Sequence, residues 1–327
     1  MSRKSFKESA DRSARWLISQ MDDDGCIGPT LYFYDKVPHA LMDTGNFKEA
    51  ISALKWIQQN GMKSNGDFDF SKDPVSEDER GQIWAPRMRP YQNGILVMSG
   101  HRLGQFDFSF KAYKRMLEYQ DPDVGGFCHS TPEGNEFDLV STGFCGLTSL
   151  YMGDVKHAKM AGDAVLKLIE KQPALSNKLY VNLDREGELI TAGYPEAGED
   201  FFVVDKDKKD QMYFYAGCGV TLLSKVHLAT GEQKYLDGAI ELYDFNRTCR
   251  SVFEHGSAGK FAWGCLYLYD ATGEEKFLDV SRKIAEFIVN LQGDDGCYAL
   301  PGYPFDARFT ITAEFTMWLS EISKYLD

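Results

Sequence analysis

The chain has 327 residues, 43% hydrophobic and 26% charged, with a formal net charge of -13. So acidic a surface argues against nucleic acid and anionic membranes, which are held by Lys/Arg clusters, and no stretch approaches the ~18 apolar residues of a membrane span. Seven cysteines in no dense framework favour free thiols in a reducing compartment, so a cytoplasmic protein with a small-molecule substrate is expected.

The N-terminal segment MSRKSFKESADRSARWLISQ has no apolar run after its basic residues, so it is not a signal peptide. Phe6, Ala10, Ser13, Ala14 and Leu17 place an amphipathic helix there. A glycine loop, SQMDDDGCIGP, leads to a more apolar segment, LYFYDKVPHALM, which offers Tyr32, Tyr34, Asp35 and His39. Asp35 and His39 are four apart, the spacing of one helical face, either as an acid–base pair or as a structural one. TGNFKEAISALKWIQQ is the next amphipathic helix, and a long polar loop follows over 66–86. The segment RMRPYQNGILVMSGHR then brings Arg87, Arg89, Tyr91 and Gln92, with Trp84 just before them. Two arginines can hold a carboxylate or phosphate, or simply pair on the surface.

LGQFDFSFKAYKRMLEY is again amphipathic. The stretch GGFCHSTPEGNEFDLVSTGFCG sets Cys128 and His129 past a glycine turn and Asp138, Ser141, Thr142 and Cys145 at the start of an apolar helix. Asp138 is a candidate acid, or a helix cap. MGDVKHAKMAGDAVLKLI is amphipathic, and an insertion over 179–210 contains NLDREGEL, a turn between β-prone runs that reads as a small β-hairpin. QMYFYAGCGVTLLSKVHL offers Tyr213, Tyr215 and Cys218, with Asp210 before it; FAWGCLYLY follows His255 and Lys260 and carries Cys265. Cysteines among glycines fit close helix packing, a reactive thiol or a metal ligand. The chain has no CxxC or HxxxH spacing, so no metal and no cofactor is expected. TGEQKYLDGAIELYDF and TGEEKFLDVSRKIAEFI repeat the pattern begun at Thr44, and ARFTITAEFTMWLSEI closes the chain with Arg308, Thr310 and Glu314, preceded by Asp306.

Amphipathic helices keep one face in water, and helices apolar all round are buried. Six of each in alternation predict an all-α fold, a single (α/α)6 toroid over 1–327 with six outer and six inner helices. An open solenoid is the alternative. Loops entering the inner helices would gather their acids, bases and aromatics at one cavity mouth.

ARWLISQMDDDGCI, KRMLEYQDPDVGGF and EFIVNLQGDDGCY resemble the Gln-to-Gly-aromatic repeat of terpenoid cyclases, with Ile27, Phe127 and Tyr298 in place of the family's Trp. The layout GGFC…DLVSTGFCG is similar to linalool dehydratase-isomerases, toroids that use two cysteines with nearby Asp, His and Tyr. The Asp-x-Asp-Asp run of class II cyclases and the Cys-His-Gly of lanthionine cyclases are missing. The resemblance implies a lyase or isomerase, of dehydratase or cyclase type, acting by acid–base chemistry on an apolar, terpenoid-like molecule in an aromatic cavity. Its catalytic set would be Asp35, His39, His129, Asp138, Cys128 and Cys145; its substrate-binding set Trp84, Arg87, Arg89, Tyr91, Tyr213, Tyr215, Cys218 and Glu314. Six-hairpin glycosidases and sugar lyases share the fold, so a carbohydrate-active enzyme on an acidic sugar is the alternative, with Asp35 and Asp138 as acid and base and the arginines holding a uronate. A non-catalytic binding toroid is the third reading. Lone toroids often oligomerise, so a homo-oligomer is a further expectation.

Overall fold

The computed structural model describes residues 5–28, 30–31, 34–71, 79–173, 175, 177–300 and 307–326. Two compact units divide the chain: Met1–Pro74 with Gln92–Arg115 and Ala285–Asp327, and Val75–Tyr91 with Met116–Ile284. In chain order the α-helices are α1 (Phe6–Ser19), α2 (Val37–Asp43), α3 (Phe47–Asn60), α4 (Glu79–Arg87), α5 (Arg89–Arg102), α6 (Phe106–Leu117), α7 (Leu139–Tyr151), α8 (Val155–Glu170), α9 (Phe214–Thr230), α10 (Gln233–Asn246), α11 (Gly259–Thr272), α12 (Glu275–Asn290) and α13 (Ala307–Leu326). Four short strands, β1 (Glu136–Asp138), β2 (Lys178–Tyr180), β3 (Asn182–Asp184) and β4 (Val203–Asp205), and 3-10 turns at Glu196–Phe201, Val252–Glu254 and Gly256–Ala258 complete the described elements.

Two kinds of helix alternate, as the hydrophobic periodicity requires. α1, α3, α6, α8, α10 and α12 bury one stripe; α2, α5, α7, α9, α11 and α13 are buried almost all round. α4 stands outside the alternation and occupies the end of the polar stretch expected to be loop over 66–86; its Arg80 is clamped by both carboxylate oxygens of Asp200 at 2.5 and 2.7 Å. Residues 72–78 of that stretch lie outside the described residues.

The recurrent Thr-Gly-Glu has a mechanical cause. At the end of α9, Thr230 Oγ1 donates to Val226 O at 2.7 Å, Gly231 takes φ +73°, and Glu232 N donates to Thr230 Oγ1 at 3.2 Å. Only glycine adopts that left-handed conformation without a Cβ penalty, and the same turn ends α11. The recurrent glutamine is a strap. Gln120 Nε2 donates to Gly125 O and to His157 O of α8, both at 2.9 Å. Gln292 Nε2 donates to Gly296 O at 3.3 Å and to Ser9 O of α1 at 2.8 Å. Each ties a loop to the neighbouring amphipathic helix.

Small residues set the spacing of the buried helices. A Cβ on Gly143 of α7 would stand 2.9 Å from Cys218 Cβ on α9, and one on Gly217 of α9 would stand 2.5 Å from Phe261 N on α11. The insertion carries its strands: β2 pairs antiparallel with β4, and the NLDREGEL turn closes on Asp184, whose Oδ1 accepts from Glu186 N and Glu188 N at 3.0 and 2.7 Å. β3 takes β1 as its partner, with Phe137 opposite Leu183 and Asp138 opposite Asn182. That ladder anchors the insertion to the residues that start α7.

Candidate active site

In the unit of Val75–Tyr91 and Met116–Ile284, the segment before α7 folds back on itself. An isolated antiparallel bridge joins Cys128 to Phe137, which sets His129 across from Glu136, since paired strands bring opposite side chains to ~5 Å. His129 Nε2 lies 3.0 Å from Glu136 Oε2. The same oxygen accepts from Arg87 Nη2 at 2.7 Å, while Arg87 Nη1 donates to Asn182 Oδ1 at 3.1 Å. Asn182 is fixed by donating to Phe201 O at 2.9 Å, and the guanidinium lies 4.3 Å over the Phe202 ring. Arg87 is 5% exposed, whereas a third of the Glu136 side chain meets solvent. Both bonds fall on Oε2 of Glu136.

The two carboxyls of β1 sit in opposite environments. The hydrogen bond from His129, together with the Arg87 charge, outweighs burial and holds Glu136 below the usual carboxylate range. Asp138 is 1% exposed; burial, only partly offset by His129 and by the Ser141 N–H, pushes its carboxyl up. Its Oδ1 caps α7 by accepting from Ser141 N at 2.6 Å, so the capping role read from the sequence is real. Its Oδ2 is buried without a hydrogen-bond partner among the described residues.

The cysteines lie apart from this chemistry as thiols. Cys128 Sγ donates to Gly134 O and Cys145 Sγ to Pro90 O, each at 3.2 Å. Burial pushes the Cys128 thiol up to about 11 and the Cys145 thiol well above its ordinary value, which disfavours a thiolate. Cys218 packs against Gly143. Tyr215 is fully buried, with its OH 3.4 Å from Phe201 O and burial raising it well above the phenol range. Tyr213 precedes α9 and meets the His255 ring edge-on at 5.5 Å. Trp84 packs on Phe201 and Phe214 at 5.1 and 6.1 Å. Tyr91 packs edge-on against Phe144 at 4.7 Å, and the buried Lys260 ammonium lies 4.8 Å over its ring. Arg89 is half-buried as the first residue of α5. Arg87 is thus spent on Glu136 and Asn182 and is not one half of an anion clamp with Arg89.

The other unit holds Asp35, His39 and Glu314. Asp35 stands before the first residue of α2, so it shares no helical face with His39. Its partner is Lys36, whose Nζ lies 3.4 Å from Asp35 Oδ2, 2.7 Å from Thr310 Oγ1 and 3.6 Å from Glu314 Oε2. Burial raises the Asp35 carboxyl despite Lys36, and its Oδ1 is buried without a hydrogen-bond partner among the described residues. His39 instead meets Asp43, one turn on, at 3.2 Å and Arg102 at 2.9 Å, and Arg102 reaches Asp43 at 3.0 Å. Burial would raise Asp43, but the His39 and Arg102 charges prevail and lower it. This closed ion cluster ties α2 to α5. Tyr32 and Asp306 lie outside the described residues.

Sequence reading alone passed over Glu136, Asn182 and Lys36 as functional groups. Glu136 had one available signal: it precedes Asp138 by two, the spacing of one strand face. Among the described residues no cluster of three or more His, Cys, Asp or Glu could hold a metal ion, and no helix is long and apolar enough to cross a membrane.

The chain is similar in structure to an α-1,6-mannanase of family GH76 from a Salegentibacter species, with TM-score 0.67 and 13% identity over 99% of this chain and 100% of that one. A GH76 α-mannanase from Bacteroides thetaiotaomicron gives 0.66 and 13% over 99% and 98%. A D-mannose isomerase gives 0.64 and 11% over 98% and 97%. No protein-family model and no curated protein matches the chain. These likenesses define the fold, an (α/α)6 toroid with small sheets.

Proposed function

We propose that the chain is a carbohydrate-active enzyme that hydrolyses a glycosidic bond of a mannose-type sugar, with Glu136 as nucleophile or base and Asp138 as acid. The observation that carries this is the pair of oppositely shifted carboxyls on β1. Environments that push two carboxyls apart assign one as acid and the other as base. Strand residues two apart point the same way, and glycosidases flank the scissile bond with two such carboxyl groups. Arg87 and His129 hold Glu136 ionised. Asp138 Oδ2 is buried without a hydrogen-bond partner among the described residues. The GH76 neighbours support this substrate class. A charged centre of Arg87, Glu136 and His129 suits a hydroxyl-rich substrate better than the dry aromatic pocket a terpenoid cation needs, so support falls on the carbohydrate alternative.

Aldose–ketose isomerisation of a free hexose is the second reading. One GH76 enzyme is inactivated by replacing two consecutive aspartates. The consecutive aspartates of this chain, Asp22–Asp24 and Asp294–Asp295, lie in exposed turns; Asp22 and Asp295 accept from the backbone N–H groups of Cys26 and Cys297 at 2.8 and 3.0 Å. The D-mannose isomerase neighbour supports this reading. NMR on α-1,6-mannobiose, D-mannose in D2O and a terpenyl alcohol separates the possibilities. Mannose released from the disaccharide, and lost in Glu136→Gln, supports hydrolysis. Fructose with deuterium at carbon 1 moves the reading to isomerisation, and turnover of the alcohol alone overturns both.

A further inference from the structure

Ser130 is bent into a conformation that a serine rarely takes. Its φ is +72°, and the N–H of Thr131 donates to His129 O at 2.9 Å. A hydrogen bond spanning three residues about a positive φ makes a γ-turn, the rare and strained form. Side chains other than glycine reach that region at a steric cost, and such outliers persist where the surrounding structure enforces them. The enforcement is visible. The loop is pinned at its neck by the Cys128–Phe137 bridge, by His129 N donating to Glu136 O at 3.2 Å, and by Gly134 N donating to Thr131 O at 3.0 Å. The result of the bend is that Ser130 Oγ turns back onto the preceding ring, 2.8 Å from His129 Nδ1.

We infer that Ser130 is a positioning residue, which holds the orientation of the His129 ring through its hydroxyl, while Glu136 sets the tautomer, and which thereby orders the His129–Glu136–Arg87 chain. The assignment of protons follows from valence. Glu136 is an ionised acceptor held by Arg87, so the His129 nitrogen facing it, Nε2, carries a proton. In the neutral ring Nδ1 is then bare and accepts the Ser130 O–H. In the imidazolium Nδ1–H donates to Ser130 Oγ, whose own proton rotates away. A hydroxyl serves both states because it is donor and acceptor at once, whereas a backbone carbonyl would serve one. The hydroxyl lets the ring take up and return a proton without swinging off Glu136, and which ring nitrogen is protonated is set by the bond the other makes. The inference rests on the proposed role of Glu136, but its principal readout does not.

The test uses Ser130→Gly and Ser130→Ala in the full chain. Both remove the hydroxyl; glycine also relieves the turn, and alanine keeps its strain. Nitrogen-15 NMR of the imidazoles at ~pH 9, above the ordinary histidine range, reads the hydrogen bond at Nδ1 of His129 without any substrate. The expected result is a hydrogen-bonded Nδ1 in the wild type and an Nδ1 shifted downfield by loss of that bond in both variants, with Nε2–H kept throughout. Ser130→Gly is expected to raise Tm by roughly 2–4 °C through lost strain, and Ser130→Ala is not. Turnover of α-1,6-mannobiose should fall about tenfold in both, the effect of one ordinary hydrogen bond on a rate, with KM unchanged. An unchanged Nδ1 shift in both variants overturns the inference, whatever happens to activity. A shifted Nδ1 in a chain whose wild type cleaves no mannoside overturns the proposed reaction and leaves Ser130 as the residue that positions His129.

Discussion

Asp138 can be taken apart by two substitutions that separate its structural and chemical parts. Its Oδ1 caps α7 at 2.6 Å from Ser141 N, and its Oδ2 is buried without a donor among the described residues. Asp138→Asn keeps an oxygen for the cap and removes the ionisable group; asparagine caps about as well as aspartate. Asp138→Ala removes both. Losing the cap costs about 1 kcal/mol, with a range of roughly 0.5–2, which is about 1–3 °C in Tm for a chain of this length. The pH dependence has a definite sign. A carboxyl raised by burial contributes stability that is fully present below its unfolded value, about 3.9, and is lost as pH rises through the raised folded value. The wild type should therefore gain on Asp138→Asn as pH falls toward 4, and lose that advantage at neutral pH. Differential scanning calorimetry between pH 4 and 8 reads this, and α-1,6-mannobiose hydrolysis reads the chemistry. The expected pattern is Asp138→Asn with near wild-type Tm at pH 7 and kcat lower by roughly 10²–10⁴-fold, the worth of a general acid. An Asp138→Asn protein that hydrolyses at the wild-type rate would refute the acid assignment and leave Asp138 as a cap.

Arg87→Met should destabilise by about 1–3 kcal/mol in urea unfolding, less than a fully buried pair because Glu136 is partly solvated, and should move the acid limb of the rate profile upward as Glu136 loses its cation. Glu136→Gln should remove the fall in stability that the wild type suffers as pH drops below about 4.3, because a carboxyl held low contributes above that pH and loses its contribution through its lowered value. Cys145→Ala should leave kcat unchanged, and thiol reagents should label the buried Cys145, Cys218 and Cys265 only after unfolding; rapid labelling of native protein would contradict their packing. Gly296→Ala should cost about 2 kcal/mol or more, since φ is +93° and the new Cβ would stand 2.6 Å from Arg12 O; a Tm within a degree of wild type would be the contrary result.

The alternation of helices was legible because burial leaves a one-dimensional trace. Cys145, Cys218 and Cys265 sit among glycines on helices with no polar face, and those helices are buried. Asp138 was legible as a cap and as a candidate acid from its place before an apolar run. Glu136 was not, because its importance comes from a single bridge, Cys128 to Phe137, that brings His129 opposite it. Pairing across an eight-residue loop has no helical period and no turn signature. The pairing of Asp35 with His39 failed for a related reason. It assumes both are inside the helix, while Pro38 at its start fixes the first turn at Val37 and leaves Asp35 outside.

The glutamine repeat explains why the terpenoid resemblance arises and why it carries no chemistry. A glutamine at the end of an amphipathic helix has two amide hydrogens. In Gln120 one goes to the carbonyl of its own loop glycine and one to the carbonyl of the next amphipathic helix; Gln292 reaches Ser9 O and Ser13 Oγ of α1 at 2.8 and 2.7 Å and its own loop carbonyl, Gly296 O, more weakly at 3.3 Å. A shorter or charged side chain could not span both carbonyls with two neutral donors. The glycine is required because the loop backbone passes within a Cβ of that neighbouring helix. At these two places the Gln-to-Gly pair serves to tie a loop to a neighbouring amphipathic helix. The motif therefore reports how the chain is built, and the reaction has to be read from the side chains that the repeat does not use: Glu136, Asp138, His129 and Arg87, of which the first three lie in the departures from regular helix before α7.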